Sequence, residues 1–302
     1  MARDQATQAS IREAYQLYLS VNQHASEAIA KSQNPLSPRE ATEWSNTWSI
    51  EVTARLKAIK ERAASTPPLT FAEAAKAELG LEGAEILVGR AATLSRVVNI
   101  VEGAVAETRV LAPRVASGDR DALRELLRAS GKTRLALMAI DSETTAAGIA
   151  AFPPGHPQRS LAQSSLAIGQ AEMEFLKFKA QLEDGNGAGA QATAERIQIR
   201  ASEARTASSR VPEETKAFLE SAANAPETQA LMKLENVQSA YATYALSSQV
   251  ELEIAEQVAR AATALKRGDI PAAESAFRSY APLVERRNAL QLQRATALTH
   301  PQ

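Results

Sequence analysis

Apolar side chains recur every third or fourth position along most of this 302-residue chain, and no stretch alternates with the two-residue period of a strand. One stripe runs through Ile11, Tyr15, Tyr18, Asn22, Ala25 and Ile29, and a second through Trp44, Trp48, Val52, Leu56, Ile59 and Ala63. A third follows Val97, Val101, Ala104, Thr108, Leu111 and Val115. On a helix with 3.6 residues per turn, each stripe gathers on one side, which must be buried against another helix. Composition agrees: 45% of residues are hydrophobic but only 4% aromatic, and Ala and Leu, the strongest helix formers, dominate. The predicted fold is all-α.

Breakers and caps divide the chain. Helix one is predicted over Gln8–Ser32, ended by Asn34-Pro35. Ser37-Pro38 with Glu40 reads as a capping box opening helix two, which stops before Thr66-Pro67-Pro68. Helix three is placed from Thr70 to Ser117 with a break around Gly80–Gly83, and Gly118-Asp119 ends it and caps helix four. The segment from Phe152 to Pro157 is the strongest breaker and lies near the midpoint. Helix five then follows Leu161, Ser164, Ile168, Ala171, Phe175, Phe178 and Leu182, and residues 184–190 read as a flexible turn. Helix six covers Gln191–Arg210 and is expected to stop at Val211-Pro212. A seventh segment, Glu213–Arg267, should break near Ala225-Pro226, and Gly268-Asp269 opens a single eighth helix.

The Gly118-Asp119 and Gly268-Asp269 junctions sit at matching places in the two halves. The layout predicts tandem, duplicated antiparallel four-helix bundles forming an elongated helical rod, with residues 1–152 as the first bundle and 153–302 as the second.

The chemistry is sparse. No cysteine occurs, which removes disulfides, thiolate metal sites and Cys nucleophiles. None of the three histidines, His24, His156 and His300, has a glutamate three positions before it, so the di-iron pattern of bundle cores is missing and no metal or cofactor is expected. The glycines of residues 185–189 lack the Lys-Ser/Thr pair of a phosphate loop. His24 reads as a half-exposed residue with no catalytic partner, and no enzymatic activity is expected. A net charge of −1, near 0 over residues 1–152 and about −1 over the remainder, gives nucleic acid no basic surface. No apolar run approaches the ~20 residues of a membrane span.

Tyr15, Tyr18, Trp44 and Trp48 form the densest aromatic group in an aromatic-poor chain and are the candidate ligand-binding residues. Read as packing residues, the two indoles should meet Ala25 and Ile29 on helix one. Read as a pocket, they would take an anionic ligand with help from Arg55 or Arg96.

The leading expectation is therefore a non-enzymatic helical scaffold that offers a bundle face to a protein partner or to itself, with Leu290, Leu292 and Leu298 exposed for self-association. The alternative is the small-molecule-sensing region of a bacterial chemoreceptor or sensor kinase, which the stacked-bundle layout resembles in architecture alone. The first places the chain in the cytoplasm if its ends are native, the second in the periplasm.

Overall fold

The computed structural model describes residues 2–65, 81–150, 152–183, 185–225 and 233–299. Among these every regular element is a helix: α1 (Ala2–Lys31), α2 (Pro38–Ser65), α3 (Leu81–Ala116), α4 (Arg120–Ala150), α5 (Pro157–Glu183), α6 (Gly187–Asn224), α7 (Glu235–Lys266), α8 (Ile270–Ser279) and α9 (Ala281–Thr299). None of them is long and apolar enough to cross a membrane. They form two compact units, Met1–Asp141 and Ser142–Gln302. The division falls inside α4, upstream of the breaker at which the sequence places it.

In the first unit the capping box forms as read: the Ser37 amide donates to the Glu40 carboxylate at 2.9 Å, and the Glu40 amide donates to the Ser37 hydroxyl at 3.3 Å. The α1–α2 turn is tied to the end of α3, where the Leu36 amide donates to the Ala116 carbonyl. Gly118 then adopts a φ of +92°, and a Cβ there would press to within 3.1 Å of the Pro35 ring, so both conformation and space demand glycine. Cross-links run Glu13 to Arg62 between α1 and α2, Lys60 to Glu102 between α2 and α3, and Tyr15 to Asp141 between α1 and α4. Inside this frame Leu17, Val52, Ile59, Val97, Val101 and Ile140 are buried together. Each such side chain contributes about 1.5–3 kcal/mol by leaving water.

In the second unit α5 and α6 run antiparallel, since Gln181 meets Thr193 while Gln163 meets Arg210. α8 and α9 together form a rod antiparallel to α7, from Gln257–Ser279 to Ser247–Arg294. The core joins Ile168, Phe175, Ile197, Ile254, Val258 and Tyr280.

Several boundaries correct the sequence reading. α6 runs straight through Pro212 instead of stopping there. Proline has no N–H for the Ser208 carbonyl four residues earlier, a loss that ordinarily breaks a helix. Here the Ser248 hydroxyl of α7 donates to that carbonyl at 2.8 Å, in a site where both serines are buried. A neighbouring helix supplies what the proline withholds. Ser248→Ala should leave this carbonyl unpaired and lower stability by about 1–3 kcal/mol in urea melts; no change beyond error would refute this account.

The turn expected over 184–190 is shorter, because α6 already starts at Gly187, where the Asn186 side chain accepts the Gly189 amide at 2.9 Å. The single eighth helix is instead two, separated at Tyr280. Pro282, without an N–H, cannot bond the Arg278 carbonyl. The break near Ala225 is present: α6 ends at Asn224 and Ala225 is extended, as a residue before proline prefers. The start of helix three near Thr70 lies outside the described residues, whereas Gly83 is within α3. Leu290, expected on the surface, is buried in the second core, and the side chains of Leu292 and Leu298 lie outside the described residues.

Candidate functional site

Trp44 and Trp48 stand one turn apart on α2, so both indoles project from the same face toward α1. Between them lies His24. Its ring centroid is 4.2 Å from Trp44 at an interplanar angle of 17° and 4.1 Å from Trp48 at 6°. Two indoles cannot both lie this close and this parallel to one face of an imidazole, so His24 is clasped on both faces. Its Nε2 shares a 2.9 Å hydrogen bond with the buried Ser45 hydroxyl, and Trp48 Nε1 donates to Ser20 at 3.3 Å. Lys31 sits 5.3 Å over the Trp44 ring as a cation–π partner.

His24 is therefore buried, with 4% of its surface exposed, and not half-exposed as its neighbours Asn22 and Gln23 suggested. The cause is register. Trp48 lies opposite Ser20 and Ser45 opposite His24, so the slot between the two indoles opens on His24. Trp44 packs against the cluster that contains Ala25, as does Ile29, whereas Trp48 packs against the neighbouring cluster of Leu17, Val21 and Val52.

Burial lowers the His24 pKa to about 4, against a weaker pull upward from Glu27. The folded state thus favours the neutral ring, while the unfolded chain takes up a proton near pH 6.5. Stability should be full above about pH 6.5 and fall by about 1 kcal/mol per pH unit down to about pH 4. His24→Gln should remove that slope from the pH dependence of urea unfolding; an unchanged slope would refute it.

The other two candidates are not brought to the indoles. The Tyr15 hydroxyl donates to Asp141 on α4 at 2.5 Å; burial, then this bond, pushes the Tyr15 pKa well up, and burial also raises that of Asp141. Tyr18 is buried and borders a void of about 10 Å³ with Thr108, Ser130 and Thr133, room for about one water. Arg55 pairs with Glu51 at 3.8 Å on the α2 surface.

A polar core in the second unit escaped the sequence reading. Glu251 of α7 is 1% exposed. It accepts hydrogen bonds from Ser165 at 2.6 Å and Ser164 at 3.1 Å, and Ser208 donates in turn to Ser164 at 2.8 Å. Arg287 of α9 lies 3.7 Å from the carboxylate. Burial raises the Glu251 pKa, opposed by Arg287 and the two serines. One turn toward the chain's start on α7, Ser247 accepts from Arg294 at 2.9 Å, while Gln158 accepts from the same guanidinium, which stacks 4.1 Å over Tyr244. Ser164, on the apolar stripe of helix five, is the sequence signal for this core: polar residues on a buried face require a polar partner.

Among the described residues, no group of three or more His, Asp or Glu side chains is arranged to hold a metal ion. No protein-family model matches this chain, and no curated protein or solved structure does either.

Proposed function

We propose that this protein is a non-enzymatic helical scaffold that offers a bundle face to a protein partner. The observation that carries the reading is the filled aromatic slot. Trp44 and Trp48 are the chain's two tryptophans, and the space between them is occupied by its own His24. The nearby void beside Tyr18 holds about 10 Å³, far below the ~300 Å³ of a small-molecule pocket. A filled aromatic site suits a rigid body that works through its surface, and this weighs against ligand sensing at Tyr15, Tyr18, Trp44 and Trp48.

The scaffold is read as a duplicated, antiparallel four-rod unit. The end of α3 and the end of α7 carry the same turn 150 positions apart. Gly118 and Gly268 both have positive φ, and their amides donate to Val115 and Leu265. The Asp119 and Asp269 amides reach back to Arg114 and Ala264, and both carboxylates cap the next helix at 3.0 Å. In the first unit α1 packs against α2 and α3, and α2 against α3; in the second α5 packs against α6 and α7, and α6 against α7. Ala150 closes α4 as a single rod, whereas the fourth rod of the second unit is α8 and α9 in succession.

Light scattering on the full chain, alone and mixed with proteins recovered on it as bait, tests this reading. A stoichiometric complex of defined mass is expected, with a flat thermal-shift response to a panel of small metabolites. A metabolite that raises Tm in proportion to its concentration, with no protein complex, would replace the scaffold with the sensor.

A further inference from the structure

Two open grooves of similar size mark the second unit, and they differ in how their cations are used. The groove between α5 and α6, about 500 Å³, has its arginines engaged: Arg200 with Glu203 at 2.7 Å and Arg210 with Gln163 at 2.9 Å. The groove along α6 and α7 at the turn into α8, about 490 Å³, is bordered by Arg205, Arg260 and Arg267. All three are exposed, and none makes an ion pair among the described residues. We propose that this second groove receives an acidic helical segment of a partner protein, an inference that rests on the scaffold reading and names the chemistry of its partner.

Spacing supports a helix as the occupant. Arg260 lies in the last turns of α7, and Arg267, seven residues on, is its C-cap with φ −90° and ψ −1°. That is close enough to helical geometry to put the two on one face about 10 Å apart along the axis. A second helix laid in the groove repeats side chains at the same interval, so carboxylates two turns apart meet both guanidiniums. Arg205 closes the groove from α6. Ala259, Ala264 and Ala272 form a low floor that lets another backbone approach. Guanidiniums suit this task, because their planar forks bind carboxylates in two-point contacts.

The same lining argues against nucleic acid. Glu256 also borders the groove, as does Asp269, whose carboxylate is committed to capping α8. A phosphate backbone would be repelled by Glu256, whereas a peptide helix can offer it a lysine or an amide. A net charge of −1 over the chain adds no long-range attraction for a polyanion.

The test uses the full chain and a fluorescein-labelled, alanine-based helical peptide with glutamates at seven-residue spacing, read by anisotropy. Saturable binding is expected, weakening at least tenfold when salt rises from about 50 to about 200 mM. The triple variant R205E/R260E/R267E should bind at least tenfold more weakly with unchanged far-UV circular dichroism. R286E, at an exposed arginine outside the groove, should bind as the parent does. No saturable binding, equal binding of the glutamine version of the peptide, displacement by inorganic phosphate at matched charge, or tighter binding of single-stranded DNA of matched charge would each overturn the proposal. If a partner found for the scaffold still binds the triple variant, this groove falls as its docking site while the scaffold reading stands.

Discussion

Replacing Glu251 with alanine is expected to lower the unfolding free energy by about 3–5 kcal/mol, measured by urea denaturation followed by circular dichroism. The size comes from what is left behind. Glu251 is 1% exposed and is the acceptor for Ser164 and Ser165 and the counter-charge for Arg287. Arg287 is itself largely buried, and its Nε already lacks a partner, so losing the carboxylate leaves a mostly buried cation without its counter-charge. Two serine hydroxyls lose their acceptor in the same step. Ser208, which donates to Ser164, feels the loss at one remove.

Two further variants separate charge from shape. Glu251→Gln keeps the volume and an acceptor oxygen, so its cost should be smaller than that of alanine. A double variant, Glu251→Leu with Arg287→Met, removes both charges and should recover most of the alanine loss, since a buried pair stabilises little against an apolar replacement. Losses that add up in the double variant would show that the two side chains do not act as a pair.

The legible part of this protein is whatever depends on neighbours along the chain. The capping box at Ser37, the glycine turns at Gly118 and Gly268 and the stop after Asn224 are local devices, and each is present where the spacing places it. What depends on a neighbouring helix was not legible. Pro212 reads as a stop because its own helix cannot repair the Ser208 carbonyl; Ser248, 40 residues away, does. His24 reads as half-exposed because Asn22 and Gln23 flank it, while the two indoles that cover it belong to α2. Glu251 shows no warning in its own segment, since its serine partners lie on α5 and its arginine on α9. Of the four candidate side chains, Trp44 and Trp48 meet at one site, while Tyr15 and Tyr18 face α4 and the interior between α1, α3 and α4.

Trp48→Ala should cost about 3 kcal/mol, at the lower end for tryptophan truncation because the indole is only half-buried. Part of this is lost area. Part is the loss of one stacked face of His24, and aromatic pairs contribute about 0.5–1.5 kcal/mol beyond burial. A second readout follows from the same geometry. With one face opened to water, the imidazole is charged more easily, so its pKa should climb from about 4 toward the ordinary histidine value. The chain has three histidines, so His24 can be followed by NMR titration against His156 and His300. Trp48→Phe should keep most of the stack and move the titration least. A merely packed tryptophan would lose stability without shifting His24, and a ligand-pocket wall would lose little stability at all. Stability loss and a histidine shift together are what a slot filled by the protein's own side chain requires.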